Sequence, residues 1–277
     1  MTTPAGEPWS AFSTGWNQLG SPLRPAPEDL PRIHQAWLDS LHAGLPQRQI
    51  EILALGVTPE IAQFPWAPDF RLTAIDASEE MIRGVWPGNT SNRQAVLGNW
   101  LTTPFADASF DLIVTDTGLA LIVGAEPLRA AAKELSRVLR KDGRMAMRHF
   151  ARPSPPETQD DIVRAIETGQ TRNFHELKLR LLMAVESETP GIGVRLADVH
   201  DRFQRLFPDR ALLAERLGCD LRMVSAIDAY RNRHARYAFH SPGEMAQAFD
   251  GFFLTPGAAG HYPSAHCCPV FSLSPKS

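Results

Sequence analysis

Gln49-Ile-Glu-Ile-Leu-Ala-Leu-Gly56 and Arg71-Leu-Thr-Ala-Ile-Asp76 are the two stretches whose reading decides the fold. Ile50, Ile52, Leu53, Ala54 and Leu55 make a short apolar run with the length and composition of a buried parallel strand. The run stops at Gly56, and Thr58-Pro59-Glu60 then reads as a helix start. Thr58 can cap, Pro59 suits the first helical position, and Glu60 suits the positive end of the helix dipole. The second apolar run ends at Asp76, twenty residues beyond Gly56. A glycine turn after one strand and an acid ending the next form the skeleton of a nucleoside-binding βαβ unit, in which the acid accepts hydrogen bonds from ribose hydroxyls. The plainer alternative is an α/β protein without a nucleoside, in which Asp76 only caps the helix that follows.

The turn also indicates which nucleoside. A dinucleotide pyrophosphate calls for G-x-G-x-x-G, whereas Gly56-Val57-Thr58-Pro59 offers one glycine, and β-branched Val57 resists positive φ. That argues against NAD and FAD. S-adenosylmethionine carries no phosphate, so a turn with fewer glycines can serve it.

The 277 residues allow one large domain, and 43% hydrophobic residues are ample for its core. A net charge of −3 with no basic run gives no nucleic-acid groove. The N-terminus lacks the basic and apolar regions of a signal peptide, and no apolar stretch approaches the ~20 residues of a membrane span. A cytoplasmic protein with no membrane partner is the expectation. Cys219, Cys267 and Cys268 have no metal-ligand spacing and read as reduced thiols, with Cys267-Cys268 expected in a strand, one side chain on each face.

Along the chain, residues 1–47 form an arm and a helix, with Trp9, Phe12 and Trp16 on a proline-stiffened segment. A helix over 28–41 is expected from Leu30, Ile33, Trp37 and Leu41, and the arm is a candidate lid. Residues 48–150 alternate strands and helices: strands at 50–55, 71–75, 94–97, 110–116 and 144–150, with an Asp142-Gly143 turn before the last. Residues 151–241 are mainly helical, Gly169 separating two of the helices. Residues 242–277 supply a helix and a closing strand pair at 252–255 and 267–273.

Over about residues 48–150 and the tail the chain resembles the class I S-adenosylmethionine-dependent methyltransferases. The resemblance rests on Ile52-Leu-Ala-Leu-Gly56, on Asp76-Ala-Ser-Glu-Glu-Met81, on Phe105-Ala-Asp-Ala-Ser-Phe-Asp111 and on Leu135-Ser-Arg-Val-Leu-Arg-Lys-Asp-Gly143. It implies a doubly wound, mostly parallel seven-stranded α/β sheet, here with an N-terminal arm and a helical insertion covering the active site. Two departures stand out: Gly56-Val57-Thr58 where the family has G-x-G-x-G, and Asn99 where it often has Asp.

The resemblance implies a cofactor site of Gly56, Thr58, Pro59, Asp76, Ala77, Met81, Asn99, Trp100, Asp116 and Thr117, with S-adenosylhomocysteine as product. Gly56 and Thr58 would face the methionine moiety, Asp76 the ribose, and Asn99 and Trp100 the adenine. Methyl transfer needs a positioned nucleophile and only sometimes a base. Asp116, His149 and Tyr230 are the catalytic candidates, with His175 behind them. Trp16, Arg24, Trp37, Arg148 and Tyr237 are candidates for holding a small-molecule acceptor. Cyclisation or elimination of the cofactor's aminobutyryl chain, or a non-catalytic cofactor-binding subunit, are the alternatives. The residues point to no metal.

Overall fold

The computed structural model describes residues 15–41, 44–258 and 260–276. Trp9 and Phe12 lie outside them. The strands are β1 (Ile50–Leu55), β2 (Phe70–Asp76), β3 (Arg93–Leu97), β4 (Phe110–Asp116), β5 (Leu139–Arg148), β6 (Val194–Arg195), β7 (Arg236–Tyr237), β8 (Phe252–Pro256) and β9 (Val270–Pro275). Seven of them form one sheet in the order β3-β2-β1-β4-β5-β9-β8, while β6 and β7 pair separately. β1 to β5 run parallel, and β9 runs antiparallel to both of its neighbours. The strand order reverses between β1 and β4, so their carboxyl ends open the crevice at which such sheets bind ligands.

Alternation along the strands builds a core on each face. Leu53, Leu55, Ile113, Met145 and Met147 pack against α4 (Ala125–Val138) and α10 (Pro242–Ala248). Ile52, Ala54, Leu112, Val114 and Ala146 pack on the other face with α1 (Asp29–Asp39), α2 (Pro59–Gln63) and α3 (Glu79–Val85). Between β5 and β8 lie α5 (Gln159–Glu167), α6 (Phe174–Ser187), α7 (Leu196–Leu206), α8 (Arg210–Leu217) and α9 (Leu221–Ser225). Ile162, Phe174, Leu177, Leu181, Val199 and Phe203 give these helices a core of their own.

Three local expectations are corrected. β5 starts at Leu139, and Asp142-Gly143 lies inside it, where pairing with β4 slips between Phe110 and Leu112. Solvent-facing Arg140, Lys141 and Asp142 hide that strand from an apolar pattern; a Cβ on Gly143 would stand 2.9 Å from the Arg140 carbonyl oxygen. Thr58 precedes α2 without a side-chain cap. Cys267 and Cys268 precede β9, because their backbone N–H groups close turns onto Ser264 and Ala265 instead of joining the ladder.

Candidate functional site

The carboxyl edge of the sheet has two halves. At β1 and β2, Gly56 adopts φ +90°, a left-handed conformation that favours glycine. The Asp76 Oδ1 accepts from the Ser78 N–H at 2.8 Å, and the Ser78 hydroxyl in turn caps α3 by accepting from the Met81 N–H. The other carboxylate oxygen, Oδ2, faces the glycine, 4.0 Å from where a Cβ on Gly56 would stand. Among the described residues Asp76 has no cationic partner. Burial raises its pKa to about 6. The cap of α3 is therefore Ser78, and not Asp76 as the plainer reading held; Asp76 supports the turn before it through the backbone N–H groups of Ser78 and Ala77.

The Trp100 indole crosses this edge. Its N–H donates to the Ile75 carbonyl at 2.8 Å. Its six-membered ring lies 3.8 Å from the Cβ position of Gly56 and 3.1 Å from that of Gly118, so both glycines make room for it. Asn99 is exposed, and its side-chain oxygen accepts from the Leu101 N–H, a local turn that engages the atom expected to read adenine. Met81 is buried under α3, Ala77 is exposed, and Pro59 opens α2. Thr117, at φ +57°, follows Asp116 and donates its N–H to the Arg148 carbonyl.

The arm reaches the same half. Arg24 pairs with Glu60 in the first turn of α2, and its guanidinium carbon lies 5.6 Å from the Trp16 ring centroid. The Trp16 indole N–H and the Glu60 Oε2 are both buried without a partner. Both residues flank the Arg24 guanidinium. Glu60 entered the sequence reading only as a dipole partner.

The half at β4 and β5 is closed. Asp116 takes both of its bonds from Arg148, at 2.5 Å and 3.0 Å. Arg148 is fully buried and also reaches the Pro22 carbonyl, the Tyr262 hydroxyl and Asp29. Its charge is spent inside the protein, so it does not hold an acceptor, and Asp116 is not free to act as a base. His149 is also fully buried: its Nε2 bonds the His240 carbonyl at 2.9 Å and its ring stacks on His240. Burial lowers its pKa to about 4. It anchors the chain after β5 rather than facing solvent.

The other candidates scatter. Trp37 is buried at the opposite, amino edge of the sheet, lining a cavity of about 270 Å³ with Arg48, Asp111 and Arg140, so it lies far from the crevice. Tyr230 is buried in the helical core, where desolvation pushes its pKa well up, and Tyr237 pairs in β7 with its pKa pushed up to about 12. His175 packs against Gly20 of the arm, and burial lowers its pKa to about 4. Lys178 was missed; its signal was a lone cation on the apolar face of α6, four residues after Phe174.

Comparison with known proteins adds three findings. Residues 53–147 match a family model described as a methyltransferase domain. The demethylmenaquinone methyltransferases of Corynebacterium efficiens and Roseiflexus castenholzii are 35% and 36% identical over 83 and 98 residues, which cover 30% and 35% of this chain. The chain spans 34% and 39% of those relatives' lengths. The N-methyltransferase NodS of Bradyrhizobium japonicum WM9, solved with S-adenosyl-L-homocysteine, superposes with a TM-score of 0.50 at 14% identity, over 97% of this chain and 99% of that one. No described helix is long and apolar enough to cross a membrane.

Proposed function

We propose that this chain, whose core is a methyltransferase domain of the class I S-adenosylmethionine-dependent family, transfers a methyl group from S-adenosylmethionine to a small-molecule acceptor. The observation that carries the reading is Asp76: a carboxylate without a cation, at the end of β2, with one oxygen turned to a positive-φ glycine at the end of β1.

The residues present fit the cofactor. Asp76 takes the ribose hydroxyls, as charge-assisted bonds. Gly56 leaves the space that a side chain would fill, and Trp100 gives the crevice a flat apolar wall. The unpartnered Glu60 Oε2 and Trp16 N–H suit the ammonium and carboxylate of an amino-acid tail. Bound there, S-adenosylmethionine supplies an electrophilic methyl on a sulfonium. The protein's part is positioning: it holds an acceptor in line under the arm and excludes water. Arg24 and Trp16 close that space. Asp116 is held by Arg148, and burial lowers the pKa of His149, whose Nδ1 has no partner among the described residues, to about 4, so neither is a strong base near neutral pH, which favours an acceptor that arrives already nucleophilic.

The test is calorimetry with S-adenosylhomocysteine, followed by mass spectrometry of the cofactor product after turnover. Binding that is lost in Asp76→Ala, and S-adenosylhomocysteine as product, are expected. Methylthioadenosine as product, or unchanged affinity in a folded Asp76→Ala, would remove the reading.

A further inference from the structure

Lys178 is a buried charge in the helical segment with no counter-charge among the described residues. It lies on α6 and is 3% exposed. Its ammonium lies 5.4 Å from the Phe174 ring centroid and 5.7 Å from that of Tyr230. Among the described residues no hydrogen bond or ion pair reaches it. Neighbouring buried cations are treated differently. Arg148 is matched by Asp116 and Asp29, Arg152 by Glu186 and Glu244, and Arg180 by Glu157. Buried charges are ordinarily paired, and aromatic faces alone offset only part of the desolvation of an ammonium.

The groups around Lys178 supply no hidden counter-charge. His175 is held neutral by burial, and the Tyr230 hydroxyl is held protonated. Glu176, two residues along the helix, turns to Ser264 and Arg180. The rest of the surroundings is apolar, with Leu177 and Leu181 in the same core. The arm covers this end of α6. The Asn173 side-chain amide donates to the Ser21 carbonyl at 2.8 Å, His175 lies against Gly20, and Leu23 packs on the same cluster. One strap therefore reaches from Glu60, beside the cofactor crevice, to the start of α6.

We propose that Lys178 anchors an apolar anion, an aryl carboxylate or a phenolate, and that this anion is the methyl acceptor. The proposal rests on the methyl-transfer reading. An aromatic ring would stack among Phe174 and Tyr230 while its charge meets the ammonium, and the arm would close over both. Such an acceptor also carries its own nucleophilic oxygen, which suits a site where Asp116 is paired with Arg148 and burial makes His149 a weak base.

The experiment uses the full chain, with benzoate as probe and uncharged benzamide as control. Benzoate is expected to raise the melting temperature of the wild type and benzamide to leave it unchanged. Lys178→Met removes an unmatched buried charge, so the ligand-free variant is expected to melt higher than the wild type. It is also expected to lose about tenfold or more in benzoate affinity. S-adenosylhomocysteine affinity, read by calorimetry, should not move. No benzoate response in the wild type, equal benzoate affinity in the variant, or a variant that is less stable or unfolded each overturns the proposal. Loss of S-adenosylhomocysteine binding by the wild type would instead sink the methyl-transfer reading, so the two failures are distinguishable.

Discussion

Asp76 and Asp116 end neighbouring parts of one sheet edge, and the protein uses them in opposite ways. Asp116 meets a fully buried arginine at two points, and that arginine ties the arm, α1 and the segment before β9 together. Among the described residues Asp76 meets backbone N–H groups, of Ser78 and Ala77, and no cation, and burial raises its pKa to about 6. One carboxylate is paired by the fold; the other, among the described residues, has no cation. An acid at a strand end is therefore no guide to a site until its partner is known.

The largest expected effect lies in the closed half. Arg148→Met leaves Asp116 and Asp29 buried without their cation and should cost about 3–5 kcal/mol of stability. Urea titration reads it; a loss below about 1 kcal/mol would show that the two halves do not differ as described.

In the open half the effect moves from stability to binding. Asp76→Ala should weaken S-adenosylhomocysteine binding by about tenfold or more, with stability unchanged or raised. Calorimetry and melting together decide it: a destabilised variant would make Asp76 a structural residue like Asp116. The same carboxylate sets a pH dependence. Its folded pKa is raised from 3.8 to about 6, so its stabilising effect is full below 3.8 and is lost as pH rises through 6. Ribose hydroxyls need the ionised form, so cofactor affinity should fall as pH drops below 6. Asp76→Asn should bind weakly and without that slope; a slope that survives the substitution would assign it elsewhere.

Gly56→Ala forces an L-residue to φ +90° and should cost about 1–2 kcal/mol as well as weaken cofactor binding. Denaturation and calorimetry on the same preparation check both. The smallest effect belongs to the arm. The Arg24–Glu60 pair is about one-quarter exposed on each side, so Arg24→Ala should change stability by no more than about 1 kcal/mol. Turnover should fall far more than that. An arm variant with full turnover would leave the strap without a functional role.

Much of the core was legible because its signals are local. A run such as Ile52–Leu55, ended by Gly56, declares a strand and its turn without reference to the rest of the chain. Asn173 and Thr158 cap the helices on either side of Gly169, where the sequence placed the break. β5 was read five residues short, since a strand whose first turns face solvent has no apolar pattern to show. The site residues read less well. Trp37 is spaced like any core residue of α1, and nothing in that spacing says which end of the sheet it reaches. His149 ends a strand like a catalytic residue, yet His240, ninety-one residues away, covers it and takes its bond.

By itself, then, the sequence determined the succession of strands and helices, the glycine turn after β1 and the acid that ends β2, because turn chemistry, period and composition act over a few residues. Only the tertiary structure decided which charges are spent and which are free. Pairing depends on residues such as Arg148 and Asp29, or Arg152 and Glu186, that meet across long stretches of chain. Whether a buried group costs or contributes is set by that partner, and the partner is a property of the fold.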